Sequence, residues 1–241
     1  MNIALIFAGG TGTRLNSRTR PKQFLELNGK PIIIHTIQYF EDSPEIVAIC
    51  VVCLEGWLDH LRGLLDKYRV RKVRWIVPGG ETGQDSIFRG LSAVMDGVES
   101  PEDTLMLMHD GVRPLIDVKT VSDVIACARK NGNAVTVTSA YETILTVDDG
   151  ERVNEVVDRR RARYARAPQA FFLSEIYKAH LDARAEGYTE AIDSATLMRH
   201  FGHELYTVEG PVENIKITSP SDFYIFRAIY EARENSQIWG L

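Results

Sequence analysis

Short runs rich in β-branched residues alternate with longer stretches of helical period through the first half of the chain, and few folds accommodate that rhythm. Strands are expected at residues 3–7, 46–54, 73–77, 104–109 and 134–138. Helices are expected between them, near residues 32–40, 57–68, 86–95 and 118–129. Such alternation builds crossover units, hence an α/β fold with a Rossmann-like, mostly parallel sheet and helices on both faces. In sheets of this kind ligands sit beyond the carboxyl ends of the strands. The first strand ends in Phe7-Ala8-Gly9-Gly10-Thr11-Gly12-Thr13-Arg14, and the fourth in His109-Asp110-Gly111.

Glycines let a backbone turn tightly and bring its N–H groups against an anion. Arg14, and Lys22 in Pro21-Lys22-Gln23-Phe24, add full positive charge close by. That combination suits a polyphosphate. Two commoner phosphate loops do not match. A P-loop ends in Gly-Lys-Ser/Thr at the start of a helix, whereas Gly29-Lys30 precedes Pro31. A dinucleotide fingerprint needs a third glycine where Leu15 stands, which disfavours a nicotinamide-dependent oxidoreductase.

A chain of 241 residues can bury one sizeable core, with or without a protruding arm. Its formal net charge of −5 argues against a nucleic-acid groove but leaves room for a local basic pocket. No apolar run approaches the roughly 20 residues that a membrane span needs. The sequence passes from Asn2 straight into a core strand without a charged or cleavable leader. A cytoplasmic location is therefore expected, with neither nucleic acid nor membrane as partner. Cys50 and Cys53 have C-x-x-C spacing, yet within Ile49-Cys50-Val51-Val52-Cys53-Leu54 they read as opposite faces of one buried strand. The six histidines show no H-x-x-x-H pair, and no metal held by protein alone is expected.

From about residue 141 to 157 the rhythm breaks. Residues 143–147, the polar Asp148-Asp149-Gly150 and residues 152–157 read as a β-hairpin. A lone hairpin is marginal in water, so it should pack on its own domain or on another. Further along, residues 173–186 and 194–200 should be helical, and 205–208 and 215–218 short strands. Ser219 can cap a last helix with Pro220 at its first position and Asp222 three past the cap. Its stripe of Phe223, Phe226, Ile229 and Tyr230 reads as core packing. Asp110 closes a buried strand, where a carboxylate is too costly to leave unpaired. It should hold a ligand hydroxyl, a metal or a neighbouring Arg, with Arg113 closest in sequence.

Several motifs point the same way. These are Ala8-Gly9-Gly10-Thr11-Gly12-Thr13-Arg14, Pro21-Lys22-Gln23-Phe24-Leu25-Glu26-Leu27, Lys30-Pro31-Ile32 and His35-Thr36-Ile37. Gly79-Gly80-Glu81, Asp85-Ser86-Ile87, His109-Asp110-Gly111-Val112-Arg113-Pro114, Ala167-Pro168-Gln169-Ala170-Phe171 and Asn214-Ile215-Lys216-Ile217-Thr218 follow in order. Over nearly its whole length the chain resembles the CTP-dependent cytidylyltransferases. These include the methylerythritol-phosphate enzyme of isoprenoid synthesis and the ribitol-5-phosphate enzyme of teichoic acid and capsule synthesis.

The resemblance implies a single nucleotidyltransferase domain of glycosyltransferase-A type over residues 1–241. Residues 141–157 would be an arm embracing the second subunit of a homodimer. CTP and a polyol phosphate are the implied substrates. Mg²⁺ or another divalent cation would arrive bound to CTP, with Asp110 as the carboxylate it could approach. Nucleotidyl transfer needs in-line phosphates and neutralised charge at the α-phosphorus, a role implied for Arg14 and Lys22. Phe7, Ala8, Gly9, Gly10, Thr11, Gly12, Thr13, Gly80, Glu81, Ser86, Asp110 and Gly111 would hold the nucleotide. Thr143, Arg159, Asp193 and Lys216 would hold the acceptor, Arg159 being suited to bidentate phosphate binding and also legible as part of an exposed basic run.

Three positions depart from the family pattern. Many relatives have a basic residue where Gly83 stands, and threonine where Ala167 and Ile192 stand. The first departure bears on a phosphate or ribose contact, the others on the acceptor. Residues 9–14, 31–37 and 109–114 are closer to the ribitol-5-phosphate branch. The methylerythritol-phosphate branch is the alternative within the family. From another class, a non-catalytic nucleotide-binding protein would keep the glycine loop but would not need Arg14 and Lys22 together.

Overall fold

The computed structural model describes residues 1–10, 20–189 and 191–239. The chain opens with β1 (Asn2–Ala8), a small ribbon of β2 (Glu26–Leu27) and β3 (Lys30–Pro31), and α1 (Ile32–Asp42). Crossover units follow: β4 (Ala48–Cys53), α2 (Leu58–Lys67), β5 (Val73–Pro78), α3 (Gly83–Met95), β6 (Leu105–Asp110), α4 (Val118–Asn131) and β7 (Asn133–Ser139). Next come β8 (Ile144–Val147), β9 (Val153–Val157), β10 (Arg163–Phe172), α5 (Leu173–Glu186), α6 (Ser194–His200), β11 (Thr207–Glu209) and α7 (Pro220–Trp239). Seven strands form the central sheet in the order β11-β7-β10-β6-β1-β4-β5. Every neighbouring pair is parallel except those made by β10, which runs antiparallel to both β6 and β7.

Alternation along the strands sorts the core into two layers. Ala4, Ile6, Ile49, Val51 and Cys53 face α1, α2 and α4, meeting Ile37, Phe40, Leu61 and Val124. Ile3, Leu5, Cys50 and Val52 face α3, α5 and α6, meeting Ile87, Leu91, Ile176 and Leu197. Cys50 and Cys53 thus lie in different layers, both fully buried, and burial raises their thiols to about 12 and 11. They are packing residues. A third cluster joins Leu27, Ile32, Val112, Leu115 and Ile217 to Phe226, with Phe223, Ile229 and Tyr230 against it, so the α7 stripe is core.

The expected crossover strands and helices all form, with ends differing by a few residues. Three readings need correction. Residues 215–218 make no strand: the Ile217 N–H donates to Val112 O at 2.9 Å without a ladder, and the Thr218 N–H donates instead to Asp222 Oδ2 at 2.8 Å. The late edge strand is Thr207–Glu209 rather than 205–208. The ten-residue β10 was not expected, because Pro168 removes a ladder donor and argues against a central strand. The structure accommodates it with a break in register against β7 between Ala165 and Gln169. Among the described residues, no helix is long and apolar enough to cross a membrane.

Strands β8 and β9 pair antiparallel as a separate ribbon, with Leu145 opposite Val156. Asp148 organises its turn, its Oδ1 accepting from the N–H groups of Gly150 and Arg152 at 2.9 and 3.0 Å. Leu145, Val147, Val153 and Val156 are exposed, Val156 by 62%.

Candidate active site

At the carboxyl ends of β1 and β6 lies a cleft of about 500 Å³. Its floor depends on a close backbone approach. A Cβ on Gly9 would lie 3.2 Å from the Cα of Gly79, and one on Gly79 would lie 3.1 Å from the Cα of Gly9. Two side chains there would force apart the ends of β1 and β5, where the Gly79 N–H donates to Cys53 O at 2.7 Å. Ser86 closes this corner, its hydroxyl accepting from the Gly80 N–H at 3.0 Å and donating to Thr82 O at 2.9 Å. Thr82 caps α3 through a bond from the Asp85 N–H, the cap that a polar residue before a helical run foretells.

The loop after β1 is held from the side by Gln23. This buried amide donates to Ala8 O at 2.6 Å and approaches Gly10 O at 3.4 Å. Gln23 thereby fixes the carbonyls of Ala8 and Gly10 at the cleft edge. Gln23 belongs to the turn Lys22–Phe24, which is anchored by Phe24 stacking on Trp57 with centroids 4.9 Å apart. Lys22 is thereby carried to the cleft on a fixed mount.

Opposite, Asp110 takes Arg113 Nε on one oxygen at 2.7 Å and Lys216 Nζ on the other at 2.6 Å. Burial alone would raise its carboxyl, but the charges of Arg113 and Lys216 outweigh that and hold it at about 2. Of the three partners expected for Asp110, the structure shows the neighbouring Arg, with Lys216 added. Arg113 is fixed further by donating to Asn214 O at 2.9 Å, while Asn214 donates to Ala167 O at 2.7 Å. His109 and His180 are both driven to about 4, first by burial, so neither adds positive charge near neutral pH.

Phe7, Ala8, Gly9, Gly10, Lys22, Ser86, Asp110, Asp193 and Lys216 therefore converge on one cleft. Thr11, Gly12, Thr13 and Arg14 lie outside the described residues. Gly80, Glu81 and Gly111 adjoin the cleft walls in sequence but do not line them. Thr143 and Arg159 are exposed beside the ribbon, away from the cleft lining, and Arg159 donates to Tyr141 O at 3.3 Å. Asp193 is already engaged: it caps α6 through Thr196 N–H at 2.8 Å and accepts from Gln169 Nε2 at 2.8 Å. Gly83, Ala167 and Ile192, the three departures from the family pattern, all line the cleft. Gln84, Arg166, Gln169 and His180 line it without having been singled out. Among the described residues, no three His, Cys, Asp or Glu side chains converge to hold a metal ion. Each oxygen of Asp110, the carboxylate that a CTP-bound cation could approach, already carries one cationic partner.

Comparison with known proteins agrees with this geometry. The family described as IspD, 2-C-methyl-D-erythritol 4-phosphate cytidylyltransferase, matches residues 2–232. A ribitol-5-phosphate cytidylyltransferase of Streptococcus agalactiae serotype III (strain NEM316) is 50% identical over 241 residues, 100% of each chain. A 2-C-methyl-D-erythritol 4-phosphate cytidylyltransferase of Syntrophus aciditrophicus (strain SB) is 34% identical, covering 96% of this chain and 97% of its own. The crystal structure of a 4-diphosphocytidyl-2C-methyl-D-erythritol synthase from Anaerococcus prevotii DSM 20548 superposes with a TM-score of 0.82. It is 28% identical over 95% of this chain and 96% of that one.

Proposed function

Because the chain belongs to the IspD family of cytidylyltransferases, we propose that it transfers CMP from CTP to D-ribitol 5-phosphate, giving CDP-ribitol and pyrophosphate. The choice of acceptor is carried by the full-length 50% identity to relatives named for ribitol 5-phosphate, against 34% for one named for methylerythritol phosphate. A phosphate oxygen of the acceptor attacks the α-phosphorus of CTP, the bond to the bridging oxygen breaks, and pyrophosphate leaves. No protein nucleophile is needed. Gly9, Gly10 and Lys22 line one cleft, which supports a triphosphate bound there, and the open space at the missing side chain of Gly10 favours a ligand laid against the backbone. A divalent cation comes with the triphosphate, and no step is assigned to it. The reaction belongs in the cytoplasm. Pyrophosphate release with ribitol 5-phosphate should exceed that with methylerythritol 4-phosphate by at least about tenfold in kcat/KM, the scale on which polar contacts discriminate. A reversed preference would give the enzyme to the other branch.

The ribbon β8–β9 makes the active form a homodimer in this reading, with Thr143 and Arg159 serving the acceptor across the interface. Its exposed Leu145, Val147, Val153 and Val156 are the supporting observation. Light scattering should give a dimer mass at micromolar concentration and a monomer after deletion of residues 146–152. A monomeric wild type would rule this out.

A further inference from the structure

We infer that Arg166 grips the phosphate of the acceptor, through the two terminal nitrogens of its guanidinium. The inference rests on the transferase reading above and adds to it a binding residue on the acceptor side.

The backbone supplies the first argument. In a regular strand alternate residues share a face, yet Ala165, Arg166 and Ala167 all line the cleft. The break in register accounts for this. From Ala165 to Gln169, β10 advances four residues while β7 advances two, from Val137 to Val135. Such bulges re-aim a side chain and gather next to binding sites. Here the bulge turns Arg166 out of the ladder and into the cleft.

The second argument is the state of the side chain. Arg166 Nε donates to Thr138 Oγ1 at 3.3 Å, and the guanidinium lies 5.8 Å from the centroid of the Tyr164 ring. These contacts fix the stem and one edge, and leave the terminal nitrogens without a hydrogen bond among the described residues. The cations Arg113 and Lys216, which also line the cleft, each hold one oxygen of Asp110 and share its single negative charge. Arg166 has no carboxylate within ion-pair distance among the described residues. Partial burial, and then the charge of Arg113, lower its pKa, so an anion is what relieves the position. A planar fork with its outer donors open matches a phosphate bidentately.

The location selects the acceptor over the nucleotide. Arg166 stands beside Ala167 and on the wall shared with Ile192, two of the departures from the family pattern. Gly9 and Gly10 follow β1, which β6 separates from β10 in the sheet.

Steady-state kinetics of wild type, Arg166→Met and Arg166→Lys should separate the possibilities, alongside calorimetry with inorganic phosphate. Arg166→Met should raise KM for ribitol 5-phosphate at least about tenfold, as loss of a charge-assisted bidentate contact implies, and leave KM for CTP within about twofold. Arg166→Lys should restore part of the loss, which a merely structural role would not produce. Inorganic phosphate should bind wild type more tightly than Arg166→Met. An unchanged acceptor KM, or equal rises for both substrates, would overturn the assignment, as would phosphate binding that survives in Arg166→Met. If wild type prefers methylerythritol 4-phosphate, the acceptor named above is wrong, and the same KM comparison on that acceptor still decides the role of Arg166.

Discussion

Lys22→Ala should lower turnover by about 10²-fold or more while leaving the melting temperature nearly unchanged, the magnitude typical of losing one donor to a developing anion. Charge accumulates on the α-phosphate only as pyrophosphate leaves, so the loss belongs in kcat more than in KM for CTP. Stability should survive because the mount of Lys22 does not depend on it. Phe24 remains stacked on Trp57, and Gln23 remains bonded to Ala8 O. Arg14→Ala should behave alike, on the strength of its place in the glycine-rich motif. Pyrophosphate release measured beside thermal melting tests both. Near-normal turnover in a folded variant would remove that residue from catalysis.

Arg113→Met should be the most destabilising single change at the site. It leaves Asp110 buried with Lys216 as its remaining cation, and breaking a buried pair from one side costs about 3–5 kcal/mol. In a chain of this size that corresponds to a fall of roughly 6–20 °C in melting temperature. The acid limb moves too. In the wild type, the Asp110 carboxyl at about 2 lies below its ordinary 3.8. Its ionisation therefore stabilises the fold fully above the ordinary value, and the benefit is lost as pH falls through the folded one. Without Arg113 the folded pKa rises towards the ordinary value, so Asp110 contributes over a narrower pH window and the variant should lose less of its remaining stability between about pH 4 and about pH 2 than the wild type does. A melting temperature within about 2 °C of wild type, a shift that surface substitutions produce, would show that Lys216 alone satisfies the carboxylate.

The parallel half of the sheet was legible because its strands are buried on both faces and its helices on one, which prints two distinct periods into the sequence. Cys50 and Cys53 were sorted by the same rule. Local chemistry announced the caps as well, Ser219 accepting from the Asp222 N–H at 3.3 Å. What stayed hidden were contacts between segments far apart in the chain. Nothing near Lys216 in sequence announces that it meets Asp110. Nor did the sequence announce that Asp193, a cleft residue, also caps a helix and accepts from Gln169. Arg166 was overlooked because Pro168 disguised its strand. Residues 215–218 alternate like a strand, but among the described residues they pair with none.

Reversal of β10 has a consequence for how such an enzyme can change. The parallel strands contribute their last residues to the cleft, so one wall is made by Phe7–Gly10 and the start of α3, segments encoded early. The reversed strand contributes Ala165, Arg166, Ala167 and Gln169 from its middle, and through α5 it leads on to the loop before α6. The two walls are thus separate stretches of gene that meet only in the folded protein. Residues in the reversed segment can be exchanged while the bond from Gln23 still holds Ala8 at the end of β1. A lineage can retain its activated donor and trade one small phosphorylated alcohol for another by rewriting a few codons around Arg166.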